Sequence, residues 1–134
     1  MTHVSINFYK PFQCIYFHVY RLYALGYLSL GIPEAPGNQG LLDQLEALKF
    51  VQAAITHFGG DPNQVTLMGQ SAGSSSAMYH LMSPRSAGLF QQVIAQSGSN
   101  FSPSLHSITG SQATRYLMAL ECNCGTIYLF MKYL

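Results

Sequence analysis

Apolar positions keep a helical step most clearly in the middle of the chain. Leu41, Leu42, Leu45, Leu48, Val51 and Ile55 recur mainly at three- and four-residue intervals, which predicts a helix over 41–57 with one apolar stripe. Asn38 stands before it as a cap. Gly59-Gly60-Asp61-Pro62 ends it and turns the chain. Val65 to Met68 is then a short buried strand, because Pro62 and Gly69 bracket it too closely for a helix. Ala72 to Met82 has helical composition, and Ser83-Pro84 stops it. Within the apolar run Leu89 to Gln96, a further strand is expected at Val93 to Gln96, followed by a helix at 111–120 with Ala113, Leu117 and Leu120 on one side.

Upstream, Tyr20 to Leu30 is apolar and aromatic and reads as a strand running into a loop. Gly31 to Gly40, with its glycines and prolines, is loop chemistry. Residues 1–19 show no clear period and are left unassigned. Strands alternating with helices predict an α/β fold, a parallel sheet covered by helices. No internal repeat is evident, and Ser74-Ser75-Ser76 is too short to be a low-complexity segment.

Composition sharpens this picture. Only 8% of residues are charged while 49% are hydrophobic, against about 25% charged in an ordinary soluble domain. Such a chain has little with which to cover itself, which suggests surface meant to be buried by something else. A formal net charge of +1 offers no basic stripe, so nucleic acid is not an expected partner. No apolar run reaches about 18 residues, so no membrane span is expected. No small-residue cleavage site follows the apolar start, so no signal peptide is expected. Of the three cysteines, Cys122 and Cys124 are too close for an ordinary bridge and too few for zinc.

Chemistry concentrates at Gly69-Gln70-Ser71-Ala72-Gly73. G-x-S-x-G between a strand and a helix is the setting of a nucleophile elbow. The turn is so tight that side chains at 69 and 73 would collide with neighbouring backbone, and the serine hydroxyl is lifted to the carboxyl end of the sheet. The helix that follows aims its N-terminus at the same spot, so the N–H of Ala72 can donate to an oxyanion. On physical grounds alone, a Gly/Ser-rich turn without chemistry remains the alternative.

The residues around the elbow carry a resemblance. Ala35-Pro36-Gly37-Asn38-Gln39-Gly40-Leu41-Leu42-Asp43-Gln44, Phe58-Gly59-Gly60-Asp61-Pro62 and Val65-Thr66-Leu67-Met68-Gly69-Gln70-Ser71-Ala72-Gly73 follow in order. With Tyr20-Arg21-Leu22 and Leu25-Gly26-Tyr27-Leu28 upstream, and Gly88-Leu89-Phe90 and Gln96-Ser97-Gly98-Ser99 downstream, they resemble type-B carboxylesterases, the carboxylesterase/cholinesterase family. The likeness covers residues 20–122 and implies part of an α/β-hydrolase domain, with residues 1–19 and 123–134 as non-family segments. It implies carboxylic ester hydrolysis through a serine acyl-enzyme, with no cofactor and no metal. Ser71 would be the nucleophile, Ala72 an oxyanion donor, Gly69, Gln70 and Gly73 the supports of the elbow, and Ser97 a serine standing near the catalytic acid. Members of the family are commonly secreted or lie in the endoplasmic reticulum lumen.

Departures from the family refine the expectation. Gln70 stands where Glu is usual, so a charge beside the acyl site is missing; this disfavours cationic choline esters and points to a neutral, apolar ester as the small-molecule partner. Cys122 matches the first cysteine of a family disulfide loop whose second position here reads Tyr133. The family's Gly-rich oxyanion loop, triad acid and triad histidine fall outside the matching stretch, so the chain reads as an internal fragment, inactive alone and prone to aggregate. His80, nine residues after Ser71, falls on the far side of the elbow helix at 100° per residue. His57, His106, His3 and His18 have no better claim to serve as its base, and Asp43, Glu46 and Asp61 read as structural charges. The competing class is a non-catalytic, cholinesterase-like adhesion or scaffold protein, against which the retained Ser71 speaks.

Overall fold

The computed structural model describes residues 2–6 and 14–99. They fall into two compact units: one of residues up to Val19 together with those from Leu42 onward, and one of Tyr20–Leu41.

The first unit is built on a four-stranded sheet. Its strands are β1 (Thr2–Ile6), β2 (Cys14–Phe17), β5 (Val65–Gln70) and β6 (Gln92–Gln96), in the spatial order β2-β1-β5-β6. β5 and β6 run parallel with Leu67 opposite Val93 and Gln70 opposite Gln96. The link between them contains helix α3 (Ala72–Met82), as a parallel crossover requires. That much matches the α/β pattern expected from the sequence. The sheet as a whole is mixed, because β1 lies antiparallel to both β2 and β5, with Val4 opposite Tyr16 on one side and Leu67 on the other.

Helix α2 (Gln39–Ala54) carries the apolar stripe into the core. Leu48, Val51 and Ile55 pack with Val65 and Leu67 of β5 and Ala77 of α3, and Tyr16, Leu89, Phe90 and Val93 close around them. Each of the buried Leu, Val and Ile side chains stabilises the fold by about 1.5–3 kcal/mol. Leu45 is buried as well, whereas Leu42 at the start of the stripe is 36% exposed. The regular helix ends at Ala54, short of the expected His57. Ile55–Phe58 tightens into a 3-10 turn closed by Gly59 at φ 80, a common way to finish a helix. Asn38 precedes α2 at φ 63, a left-handed corner rather than the extended conformation usual for an N-cap.

Polar side chains tie the loops to this core. Asp61 Oδ1 accepts the Asn63 N–H at 2.9 Å, capping the short turn Pro62–Gln64 that leads into β5. Gln52 Nε2 donates to the carbonyls of Pro62 (2.8 Å) and Leu89 (3.0 Å), 37 residues away along the chain from the latter. A Gln52→Leu change leaves both part-buried acceptors without this donor. It should cost about 1–3 kcal/mol, read as a lower denaturation midpoint in urea.

The second unit corrects the reading of residues 20–40. Where a strand is expected, Tyr23–Tyr27 forms a one-turn helix, α1. Gly26 sits at its buried side, where a Cβ would collide with the Arg21 carbonyl. β3 (Ser29–Ile32) then pairs antiparallel with β4 (Ala35–Pro36), so the expected loop contains a small hairpin. The helix expected at 111–120, together with His106, Cys122 and Cys124, lies outside the described residues.

Candidate active site

Ser71 stands at the junction of β5 and α3, immediately after Gln70 and before Ala72. Its backbone takes φ 55 and ψ −121. Non-glycine residues reach such a conformation at a cost of roughly 1–3 kcal/mol, and only where their surroundings enforce it. Here three contacts do so. The Ser71 N–H donates to the Gln96 carbonyl at 2.8 Å. The Ser71 carbonyl accepts from the N–H groups of Ser74 (2.9 Å) and Ser75 (3.1 Å), which starts the helix. Gly69, buried before the corner, faces Gly73, and any Cβ at 69 would collide with the Gly73 carbonyl. The first glycine of the motif is thus accounted for by this close approach.

Serine at an N-cap usually spends its hydroxyl on the first helical N–H groups. Ser71 makes no such side-chain bond, and the residue is exposed. The N–H groups of Ala72 and Gly73 precede the first intrahelical bonds of α3, so by helix geometry they have no carbonyl one turn earlier to reach. An exposed hydroxyl and donors of this kind, side by side at a positive helix end, suit attack on a carbonyl and stabilisation of the oxyanion that forms. Gln70 beside the serine is exposed and uncharged.

Behind Ser71, the chain leaving β6 closes the corner. Ser97 also has a positive φ, 54. Gly98 lies so near that a Cβ there would collide with the Ser71 carbonyl and come within 3.0 Å of Ser74 Cβ. Ser74 and Ser75 are buried in the first turn of α3 and bond to this segment: Ser74 Oγ donates to the Gly98 carbonyl (2.9 Å) and Ser75 Oγ to the Ser99 carbonyl (2.7 Å). Their role is not legible in the sequence. The three successive serines signal only small, polar residues near the start of a helix.

His80 lies deep under α3. One ring nitrogen, Nδ1, is 2.8 Å from Ser86 Oγ, and the other, Nε2, is 3.1 Å from Gln44 Oε1. With the Gln44 amide oxygen facing the ring, the matching neutral tautomer carries its proton on Nε2 and accepts from Ser86 at Nδ1. Both nitrogens are therefore engaged away from Ser71. Burial, with a smaller contribution from the charge of His18, lowers the His80 pKa to about 4. The unfolded chain thus binds a proton here near pH 6.5 that the folded chain takes up only near pH 4. This contribution to stability is complete above pH 6.5 and is lost as the pH falls toward 4, by at most about 3 kcal/mol. Thermal melts between pH 7 and 4 should show that slope, and a His80→Gln variant should lose most of it.

The other candidates are dispersed. His57 is exposed in the 3-10 turn after α2, and His18 stacks on Tyr16 with ring centroids 6.2 Å apart. Glu46 pairs with Lys49 on the exposed face of α2 at 2.6 Å. Among the described residues, no group of three or more His, Cys, Asp or Glu side chains could hold a metal ion, and no helix is long and apolar enough to cross a membrane.

The likeness to known proteins covers most of the chain. Residues 17–133 match the model of the carboxylesterase family. Esterase FE4 of Myzus persicae is 50% identical over 101 residues, covering 75% of this chain and 18% of that protein. Juvenile hormone esterase of Tribolium castaneum is 61% identical over 79 residues, 59% of this chain and 13% of the relative. Cholinesterase 1 of Branchiostoma lanceolatum is 45% identical over 109 residues, 79% of this chain and 30% of the relative. The chain spans less than a third of the length of these relatives. With a family match over most of its residues and a serine-bearing corner between strand and helix, the chain belongs to the carboxylesterase family, whose α/β-hydrolase fold it shows in part.

Proposed function

We propose that the chain carries the nucleophile of a serine carboxylic ester hydrolase. The observation that supports this best is the Ser71 corner itself: a costly backbone conformation at an exposed serine that does not cap the helix it starts. Ser71 Oγ attacks the ester carbonyl, the Ala72 N–H donates to the developing oxyanion, and an acyl-serine forms as the alcohol leaves. One such donor is worth on the order of 3 kcal/mol in the transition state. Gly69 and Gly73 allow the corner, and Ser97 lies level with the serine at the end of the neighbouring strand.

The substrate is a neutral, apolar ester. The uncharged Gln70 next to the nucleophile offers a cation nothing to pair with, which argues against choline esters. The name of the Tribolium relative, juvenile hormone esterase, is in keeping with such a substrate. The base that activates Ser71 is not His80, whose two ring nitrogens are both engaged.

The test is covalent labelling. A fluorophosphonate should modify the 134-residue chain slowly, over hours, and peptide mapping should place the adduct on Ser71. Modification elsewhere, or none in a folded sample, would overturn the assignment. Rapid modification would show instead that the chain supplies its own base.

A further inference from the structure

The hydroxyls of Ser74 and Ser75 are spent in an unusual direction. Buried serines within a helix commonly bond back to a carbonyl of the preceding turn. Ser76 does this, donating to the Ala72 carbonyl at 2.9 Å. Ser74 and Ser75 instead leave the helix and hold two successive carbonyls, those of Gly98 and Ser99, at 2.9 and 2.7 Å. All three serines are buried. The segment they hold starts with Ser97 at φ 54 and presses Gly98 against the Ser71 carbonyl. One residue earlier, Gln96 supplies the carbonyl that receives the Ser71 N–H at 2.8 Å.

The geometry points to Ser74 and Ser75 as positioning residues, a clamp that holds the turn after β6 against the elbow and so keeps the Ser71 backbone in its strained conformation. Released from the clamp, residues 97–99 have no other side-chain bond among those described to the elbow helix, and the Gln96 carbonyl moves with them. Ser71 can then relax toward an ordinary backbone conformation, and its hydroxyl leaves the neighbourhood of the Ala72 N–H. This inference deepens the serine-nucleophile reading and rests on it. It adds two residues whose hydroxyls touch neither substrate nor Ser71 Oγ.

The experiment compares Ser74→Ala, Ser75→Ala and the double variant with Ser76→Ala, all in the full chain. Ser76→Ala is the control, because it removes a buried serine hydroxyl of the same helix whose bond stays within the helix. Two quantities are read: exchange of the Ser71 amide proton by NMR, and the rate of fluorophosphonate labelling, each beside the melting temperature. The double variant should exchange the Ser71 proton at least 10-fold faster and label about 10-fold more slowly, with Ser76→Ala within twofold of wild type on both. The inference is overturned if the double variant stays within twofold on both, or if Ser76→Ala shifts them as much. It is overturned too if labelling falls only in step with melting temperature, as a purely structural role would require. Should the wild type not label at all while folded, the nucleophile reading fails, and the exchange rates alone then decide whether the clamp exists.

Discussion

A Ser71→Gly chain should be inert toward a fluorophosphonate and yet melt a few degrees higher than the wild type. The two effects have one origin. At φ 55 and ψ −121, Ser71 occupies a conformation that glycine adopts without penalty. Relief of the strain should outweigh the extra freedom glycine gives the unfolded chain, leaving a net gain of about 1 kcal/mol. In a protein that also holds the base, the same change should lower ester turnover by about 10⁴-fold or more. Differential scanning fluorimetry beside gel detection of the probe adduct checks both halves. A variant that melts lower than the wild type would show that the corner is not strained. Persistent labelling would show that the reactive group is another residue.

Gly69→Ala should act in the opposite sense and weaken both fold and labelling. The added methyl would meet the backbone of Gly73, not the movable end of a side chain, so relief requires α3 to shift away from β5. The two elements share the centre of the core, through Leu67 and Ala77. A cost of about 3 kcal/mol or more is expected, at the upper end of what overpacking usually brings. That is a large part of the 5–15 kcal/mol that holds most domains together. Circular dichroism and urea denaturation would measure it. Near-native stability would mean that the helix does not approach the strand this closely.

These effects explain which parts of the molecule could be read from the chain. The elbow was legible because its signals are local: Pro62 and Gly69 bound the strand, and Ser83-Pro84 stops the helix. The stripe on α2 was legible from its period, although Leu42 lies largely outside the core. The antiparallel pairing of β1 with β2 and β5 was not, because β5 lies some sixty residues away and residues 1–19 carry no clear alternation. A strand is expected in place of α1 because Tyr20 to Leu30 is apolar and aromatic, and a single helical turn leaves no periodic trace. The clamp was beyond sequence reasoning for a different reason. Whether a buried serine bonds its own helix or a neighbouring strand exit depends on where that exit runs, and nothing local to Ser74-Ser75-Ser76 states it.

The flush ending of β5 and β6 has a consequence for engineering. With Gln70 opposite Gln96 in the parallel register, the two corners at Ser71 and Ser97 leave the sheet at one height. Position 98 therefore abuts the Ser71 carbonyl, and a side chain added there should disturb the corner itself, whatever the size of the reacting molecule.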